Sequence, residues 1–186
     1  SPKCRYYNTA VKRSNLILVG LMGAGKTTVG RILARRLGLR FVDSDHEIER
    51  RCGVSIPVIF EVEGEAGFRA REAQVIADLS SAENTVLATG GGAILSEANR
   101  ERLSQGGTVV YLNARPEHLE RRVAKDRGRP LLAGGDALAK LRELHAQRDP
   151  LYRSIADLIV DTGSQTPQAL ARHLLPRLEE TWKRSA

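Results

Sequence analysis

Gly20-Leu21-Met22-Gly23-Ala24-Gly25-Lys26-Thr27 sets glycines, a lysine and a hydroxyl at the offsets G-x-x-x-x-G-K-[ST]. Such glycines let the backbone curl so that successive N–H groups point inward at an anion, and a helix starting near Lys26 adds positive potential. Lys26 then reaches the terminal phosphates of a nucleoside triphosphate, while the Thr27 hydroxyl is suited to Mg²⁺. Gly23, Ala24, Gly25, Lys26, Thr27 and Thr28 are the candidate nucleotide contacts. Leu21 and Met22 are expected to pack or close the loop. The motif fixes a phosphate donor only, because kinases, hydrolases and switches all use it.

A second group of residues bears on the acceptor. Asp43 and Asp45 stand at i and i+2 where an extended segment ends, and in extended geometry such carboxylates share a side. One could help hold Mg²⁺ through water, and the other could accept a hydroxyl hydrogen bond or proton. Equally, Asp45 or Ser44 could cap a helix running through Glu47. Gly90-Gly91-Gly92 follows a strand directly. Three flexible residues are costly to order, which favours close approach of the backbone to a ligand over a plain turn. Arg69 and Glu72 are spaced for a surface ion pair.

These residues need a frame. Leu16–Val19, Arg40–Asp43, Val86–Ala88, Val109–Leu112 and Leu158–Val160 read as short strands. Helical patterns lie between and after them, at about 26–37, 45–52, 56–62, 66–80, 97–105, 116–125, 137–148 and 167–180. Strands alternating with helices imply a three-layer α/β/α fold, a parallel sheet covered on both faces through right-handed crossovers. The carboxyl edge of that sheet is where ligands bind, and every candidate above follows a strand or a helix that could face it.

Composition limits the partners. The chain has 186 residues, 41% of them apolar, enough for one self-sufficient domain. Its two cysteines, Cys4 and Cys52, suit a reduced cytoplasmic protein, and neither has metal-site spacing to a histidine. No apolar run is long enough to span a bilayer. The formal charge is +7, and residues 115–153 hold ten Lys/Arg against six Asp/Glu, concentrating the excess around a Gly/Arg/Pro-rich stretch. That pattern fits a flap over an anionic substrate, with a basic surface helix or an RNA-facing patch as the alternatives. Aromatics make up 4% of the chain and do not interleave with the basic residues, so a nucleic-acid stacking platform is not expected.

Taken together, the motifs resemble the shikimate kinase family over about residues 15–176. After the P-loop come Phe41-Val42-Asp43-Ser44-Asp45, Ile59-Phe60, Gly64 to Arg69, Glu72 and Leu87 to Gly92. Arg129-Pro130-Leu131-Leu132 and Arg148-Asp149-Pro150-Leu151-Tyr152 complete the series. The resemblance implies a P-loop NTPase of nucleoside-monophosphate-kinase-like architecture, with five parallel strands ordered 2-3-1-4-5. It implies transfer of the ATP γ-phosphoryl group to the 3-hydroxyl of shikimate, on the route to chorismate and aromatic amino acids.

Asp45 is then implied to contact the shikimate hydroxyls and assist proton removal, with Asp43 near Mg²⁺, directly or through water. Arg69 and Arg148 grip the carboxylate, Gly90, Gly91 and Gly92 line that pocket, Arg122 stacks near adenine, and Arg129 approaches the phosphates from a lid at about 124–137. Lys26, Asp45 and Arg129 form the catalytic set. Asp45 is expected as an orienter first and a base second, without need of a strongly raised pKa. The substrate-binding helices span about 45–80 of a single domain at 15–180, preceded by a flexible extension at 1–14. The whole reading is of a cytoplasmic monomer that uses shikimate, ATP and Mg²⁺, with no membrane or nucleic-acid partner.

Two departures and two rivals accompany it. No acidic residue of the usual strand-borne kind precedes Gly90, so the metal shell must draw on Thr27, phosphates, water and Asp43. Thr27 stands where many relatives carry serine. A gluconate-type kinase would share the architecture without the D-S-D, G-F-R and R-x-P-L-Y combination. A guanine-nucleotide switch would need an N-K-x-D segment, which the sequence lacks.

Overall fold

The computed structural model describes residues 15–124 and 136–184. The N-terminal extension and residues 125–135 of the expected lid, Arg129 among them, lie outside the described residues.

Five strands, β1 (Leu16–Val19), β2 (Arg40–Asp43), β3 (Thr85–Ala88), β4 (Thr108–Ala114) and β5 (Leu158–Thr162), form one sheet in the order β2-β3-β1-β4-β5. Every pairing is parallel. The helices are α1 (Lys26–Leu37), α2 (Ser44–Cys52), α3 (Ile56–Ser80), α4 (Glu97–Gly106), α5 (Pro116–Ala124), α6 (Ala137–Ile155) and α7 (Pro167–Arg184). A single 3₁₀ turn, Ala93–Leu95, follows the triple glycine. β1 and β3 are buried along their whole length, whereas the edge strands β2 and β5 are partly exposed. That gradient is what a sheet covered on both faces produces.

Connectivity decides which face each helix covers. The chain moves from β1 to β2 in one direction across the sheet, and from β2 to β3, β3 to β4 and β4 to β5 in the other. Right-handed crossovers therefore place α1 on one face and α3, α4 and α6 on the opposite one. α7 returns to pack beside α1. The connections leaving β1 and β3 thus part to opposite faces, opening a crevice between these two neighbouring strands at the carboxyl edge.

Two sequence expectations change in detail. The patterns at 56–62 and 66–80 belong to one helical run, broken at Gly64 where φ is 72° and ψ −177°, a conformation glycine adopts without steric penalty. α6 continues past residue 148 to Ile155, although Pro150 removes a backbone donor. Burial of Leu141, Tyr152 and Ile155 along that helix offsets the lost hydrogen bond.

Gly30 on α1 marks the tightest seat on the sheet. A Cβ there would lie 2.7 Å from the Phe41 ring and 3.1 Å from Leu18. Gly30→Ala is expected to destabilise the chain by about 1–3 kcal/mol through overpacking. Urea denaturation followed by circular dichroism measures this, and an unchanged midpoint would contradict such close seating.

Candidate active site

The P-loop turns between β1 and α1 through Gly20, Gly23 and Gly25, whose φ values are 147°, 79° and 94°. Gly25 is also the N-cap of α1, so the helix terminus opens onto the loop. Lys26 Nζ donates to Gly20 O at 2.6 Å and Leu21 O at 2.8 Å. The ammonium is thereby held inside the curl of the loop.

Asp43 connects this loop to the acceptor side. Its Oδ1 accepts from the backbone N–H of Asp45 (2.9 Å) and of His46 (3.2 Å), and its Oδ2 accepts from Thr27 Oγ1 at 2.9 Å. Asp43 is therefore the helix cap that the sequence pattern offered to Ser44 or Asp45. Extended i, i+2 geometry does not apply either, because α2 begins at Ser44 and Asp45 lies in its first turn. The Thr27 hydroxyl and Asp43 carboxylate nevertheless stand together, a hard-oxygen pair suited to Mg²⁺. Among the described residues no cluster of three His, Cys, Asp or Glu could hold a metal by itself.

The triple glycine lies across the crevice. A Cβ on Gly90 would sit 2.5 Å from Asp45 Oδ1, one on Gly91 3.3 Å from an Arg148 terminal nitrogen, and one on Gly92 would collide with the Arg69 guanidinium. Each glycine thus receives a different side chain against its Cα. Gly91 also faces the P-loop, 3.5 Å from Met22 N to that same Cβ position. The Gly90 N–H donates to Ser44 Oγ at 2.9 Å.

Arg69 bonds Glu72 Oε1 at 2.9 Å, and the Glu72 side chain is only 1% exposed. The carboxylate is buried and the guanidinium half-buried, so this is not the surface bridge suggested by i, i+3 spacing. Burial raises the Glu72 pKa, with the Arg69 charge and hydrogen bond opposing it. Arg69 further lies over the Phe68 ring, 5.3 Å from its centroid, and Phe68 packs on Phe60 at 4.7 Å. Arg148 is 7% exposed and its Nε has no hydrogen-bond partner. An unpaired buried guanidinium nitrogen is costly and suits an anionic ligand.

Arg122, from α5, donates to Gly23 O at 2.9 Å and Gly163 O at 3.3 Å. It thereby joins the P-loop to the loop after β5. All the described candidates, from Gly23 through Thr28 together with Asp43, Asp45, Arg69, Gly90–Gly92, Arg122 and Arg148, line one cleft of about 1870 Å³. The sequence offers Ser44 only as a helix cap, not as a partner of Gly90, and gives no role to the loop Gly163-Ser164-Gln165, which borders the same cleft. The loop's signal was its place at the carboxyl end of a strand.

A P-loop beside one buried and one half-buried guanidinium group and a carboxylate, on a 2-3-1-4-5 parallel sheet, defines a P-loop kinase for a small anionic acceptor. The shikimate kinase family model matches residues 22–179. Shikimate kinase of Thiobacillus denitrificans is 61% identical over 168 residues, 90% of this chain and 92% of that protein. The chain belongs to the shikimate kinase family. Its structure superposes on shikimate kinase from Acinetobacter baumannii in complex with shikimate with a TM-score of 0.87 at 50% identity, covering 90% and 94% of the two chains. A gluconokinase from Sinorhizobium meliloti has a TM-score of 0.61 at 17% identity, covering 92% and 95%, a likeness of fold alone. Among the described residues, no helix is long and apolar enough to cross a membrane.

Burial, then the neighbouring Asp43 charge, raises the Asp45 pKa from 3.8 to about 6, against the opposing pull of Lys26 and Arg69. This moves Asp45 closer to a proton acceptor's useful range than the sequence reading required. Between these two values the folded chain retains a proton that the unfolded chain has lost. The stability contribution is thus full below pH 3.8 and lost as pH rises through about 6. Asp45→Asn should therefore stabilise the substrate-free protein by roughly 1–2 kcal/mol above pH 7, with the gain vanishing in acid. Denaturation midpoints across pH test this; a gain independent of pH would contradict the shift.

Proposed function

We infer that the chain transfers the γ-phosphoryl group of ATP to the 3-hydroxyl of shikimate, giving shikimate 3-phosphate and ADP, on the route to chorismate and aromatic amino acids. The observation that carries this reading is the convergence of Asp45, Arg69 and Arg148 on Gly90–Gly92, beside the P-loop, in a member of the shikimate kinase family.

The acceptor chemistry agrees. Shikimate is an anion bearing adjacent hydroxyls, so it calls for guanidinium groups at one end and a carboxylate or backbone groups at the other. Arg69 and Arg148 take the carboxylate. Asp45 accepts the hydrogen bond of the reacting hydroxyl and, with its pKa raised to about 6, can take its proton as the oxygen attacks. Glu72 fixes the Arg69 guanidinium, which limits the carboxylate to one orientation.

On the donor side, Gly23–Thr28 cradle the phosphates, and Arg122 stands where it borders the base. Lys26 exchanges its bonds to Gly20 O and Leu21 O for terminal phosphate oxygens. Thr27 and Asp43 are the residues that would hold Mg²⁺, directly or through water, and the ion would neutralise charge on the β- and γ-phosphates. Phosphoryl transfer requires little covalent participation by protein, so positioning and charge supply most of the acceleration. Arg129 adds charge from the lid at 124–137. A monomeric, cytoplasmic enzyme that needs no membrane or nucleic-acid partner belongs to the same reading.

A coupled ADP-release assay across shikimate, gluconate, nucleoside monophosphates and no acceptor tests the assignment. ADP release should depend on shikimate; preference for another acceptor would overturn it. Arg69→Ala and Arg148→Ala should each raise the shikimate KM at least tenfold, the cost of an unpaired charge-assisted contact of about 1.5–3 kcal/mol, while ATP affinity stays near wild type. Equal loss toward both substrates would contradict these roles. Lys26→Met should remove turnover even at saturating substrate, and retained turnover would contradict the phosphate clamp.

A further inference from the structure

The segment Arg148-Asp149-Pro150-Leu151-Tyr152 carries one residue with a role above, Arg148, and a second with an unusual placement. Tyr152 follows one turn later on α6 and is 1% exposed. Its hydroxyl donates to Gly91 O at 2.6 Å, the carbonyl of the middle glycine. The ring is stacked on Tyr111 of β4 with centroids 4.9 Å apart. Tyr111 is itself fixed, its hydroxyl lying 2.8 Å from Asp149 Oδ1 and 3.1 Å from Asn113 Oδ1. Tyr152 therefore has little freedom to leave the carbonyl.

The opposite side of the same loop is held as well. Gly90 N–H donates to the wholly buried Ser44 hydroxyl. Two consecutive glycines are thus gripped by hydroxyls from α2 and α6, the helices that carry Asp45 and Arg148. Glycine peptides have no side chain to resist rotation, yet Gly91 stands between an Arg148 terminal nitrogen and Met22 N of the P-loop. Rotation of the Gly90–Gly91 segment would alter the surface against which both the Arg148 guanidinium and the P-loop rest. Misplacement by about 1 Å can cost on the order of a hundredfold in rate.

We propose that Tyr152 is a positioning residue for phosphoryl transfer, holding the Gly91 carbonyl so that Arg148 and the P-loop stay aligned across the crevice. The proposal rests on the shikimate kinase reading. Tyr152→Phe removes the donor while keeping the ring stack. In the full-length chain it should raise the shikimate KM roughly five- to tenfold, the effect of one neutral hydrogen bond, and leave the ATP KM within about twofold. Ser44→Ala, which frees the same loop at Gly90, should reproduce this split. Tyr111→Phe keeps the ring stack and both hydroxyl bonds to the glycines while loosening only the support behind Tyr152, so it should raise the shikimate KM less than Tyr152→Phe does. Unaltered shikimate KM in both Tyr152→Phe and Ser44→Ala would overturn the proposal. So would a parallel loss toward both substrates that follows a fall in Tm, since that is the signature of a purely structural tyrosine. Absence of shikimate-dependent ADP release in the unmutated chain would instead overturn the functional reading beneath it.

Discussion

The acceptor half of the cleft depends on a steric condition, three adjacent residues that bring no side chain to the carboxyl end of β3. Asp45, Arg148 and Arg69 come from α2, α6 and α3, and each is pressed against one of Gly90, Gly91 and Gly92. Any Cβ at Gly90 or Gly92 would occupy the volume of a charged group. The condition is local, but its effect depends on topology. β3 lies beside β1, and their connections leave toward opposite faces, so the glycines are brought against the P-loop rather than into solvent.

Charge explains why such an arrangement can bind an anion without collapsing on itself. Removing charges from water is expensive unless they are paired. Arg69 meets this cost through Glu72, which is buried beside it. Arg148 meets it only in part, as its Nε lacks a partner. The pocket thus carries two cations, one neutralised and one incompletely so, next to an Asp45 whose ionisation burial already disfavours. On the proposed function, an incoming carboxylate would complete the hydrogen bonding of Arg148, and a hydroxyl would give Asp45 a donor. Binding would then satisfy polar groups that folding leaves unmet, which would favour a charged polyol over a neutral one.

How much of this was written in the sequence depends on the range of the interaction. The P-loop was legible because its residues are contiguous and its chemistry belongs to the backbone. The strands and their order followed from short apolar runs and the resemblance. Asp43 was harder, since an Asp-Ser-Asp segment has three side chains able to cap one helix, and the choice rests on where the helix starts, with Ser44 drawn to Gly90 far along the chain. Glu72 looked like a surface partner because spacing on a helix says nothing about which face is buried. Tyr152 was beyond reach, as its partner Gly91 is 61 positions away in the chain. The helical pattern at 137–148 stopped short of the observed end of α6, since tertiary burial carries the helix past Pro150 to Ile155.

The two halves of the cleft also differ in how far their design is tied to this fold. A gluconokinase of 17% identity keeps the architecture, so the sheet and P-loop do not by themselves choose an acceptor. Choice must come from what is added between the strands. Here that is α2 and α3, inserted between β2 and β3, together with α6 between β4 and β5. Gly64 breaks α3 after its second turn, so the Phe60 end and the Arg69 end take different directions from one helical run. Both ends still border the cleft, one apolar and one cationic. On the proposed function, an acceptor with a ring and a carboxylate would use both walls, and the break at Gly64 lets one helical run supply them.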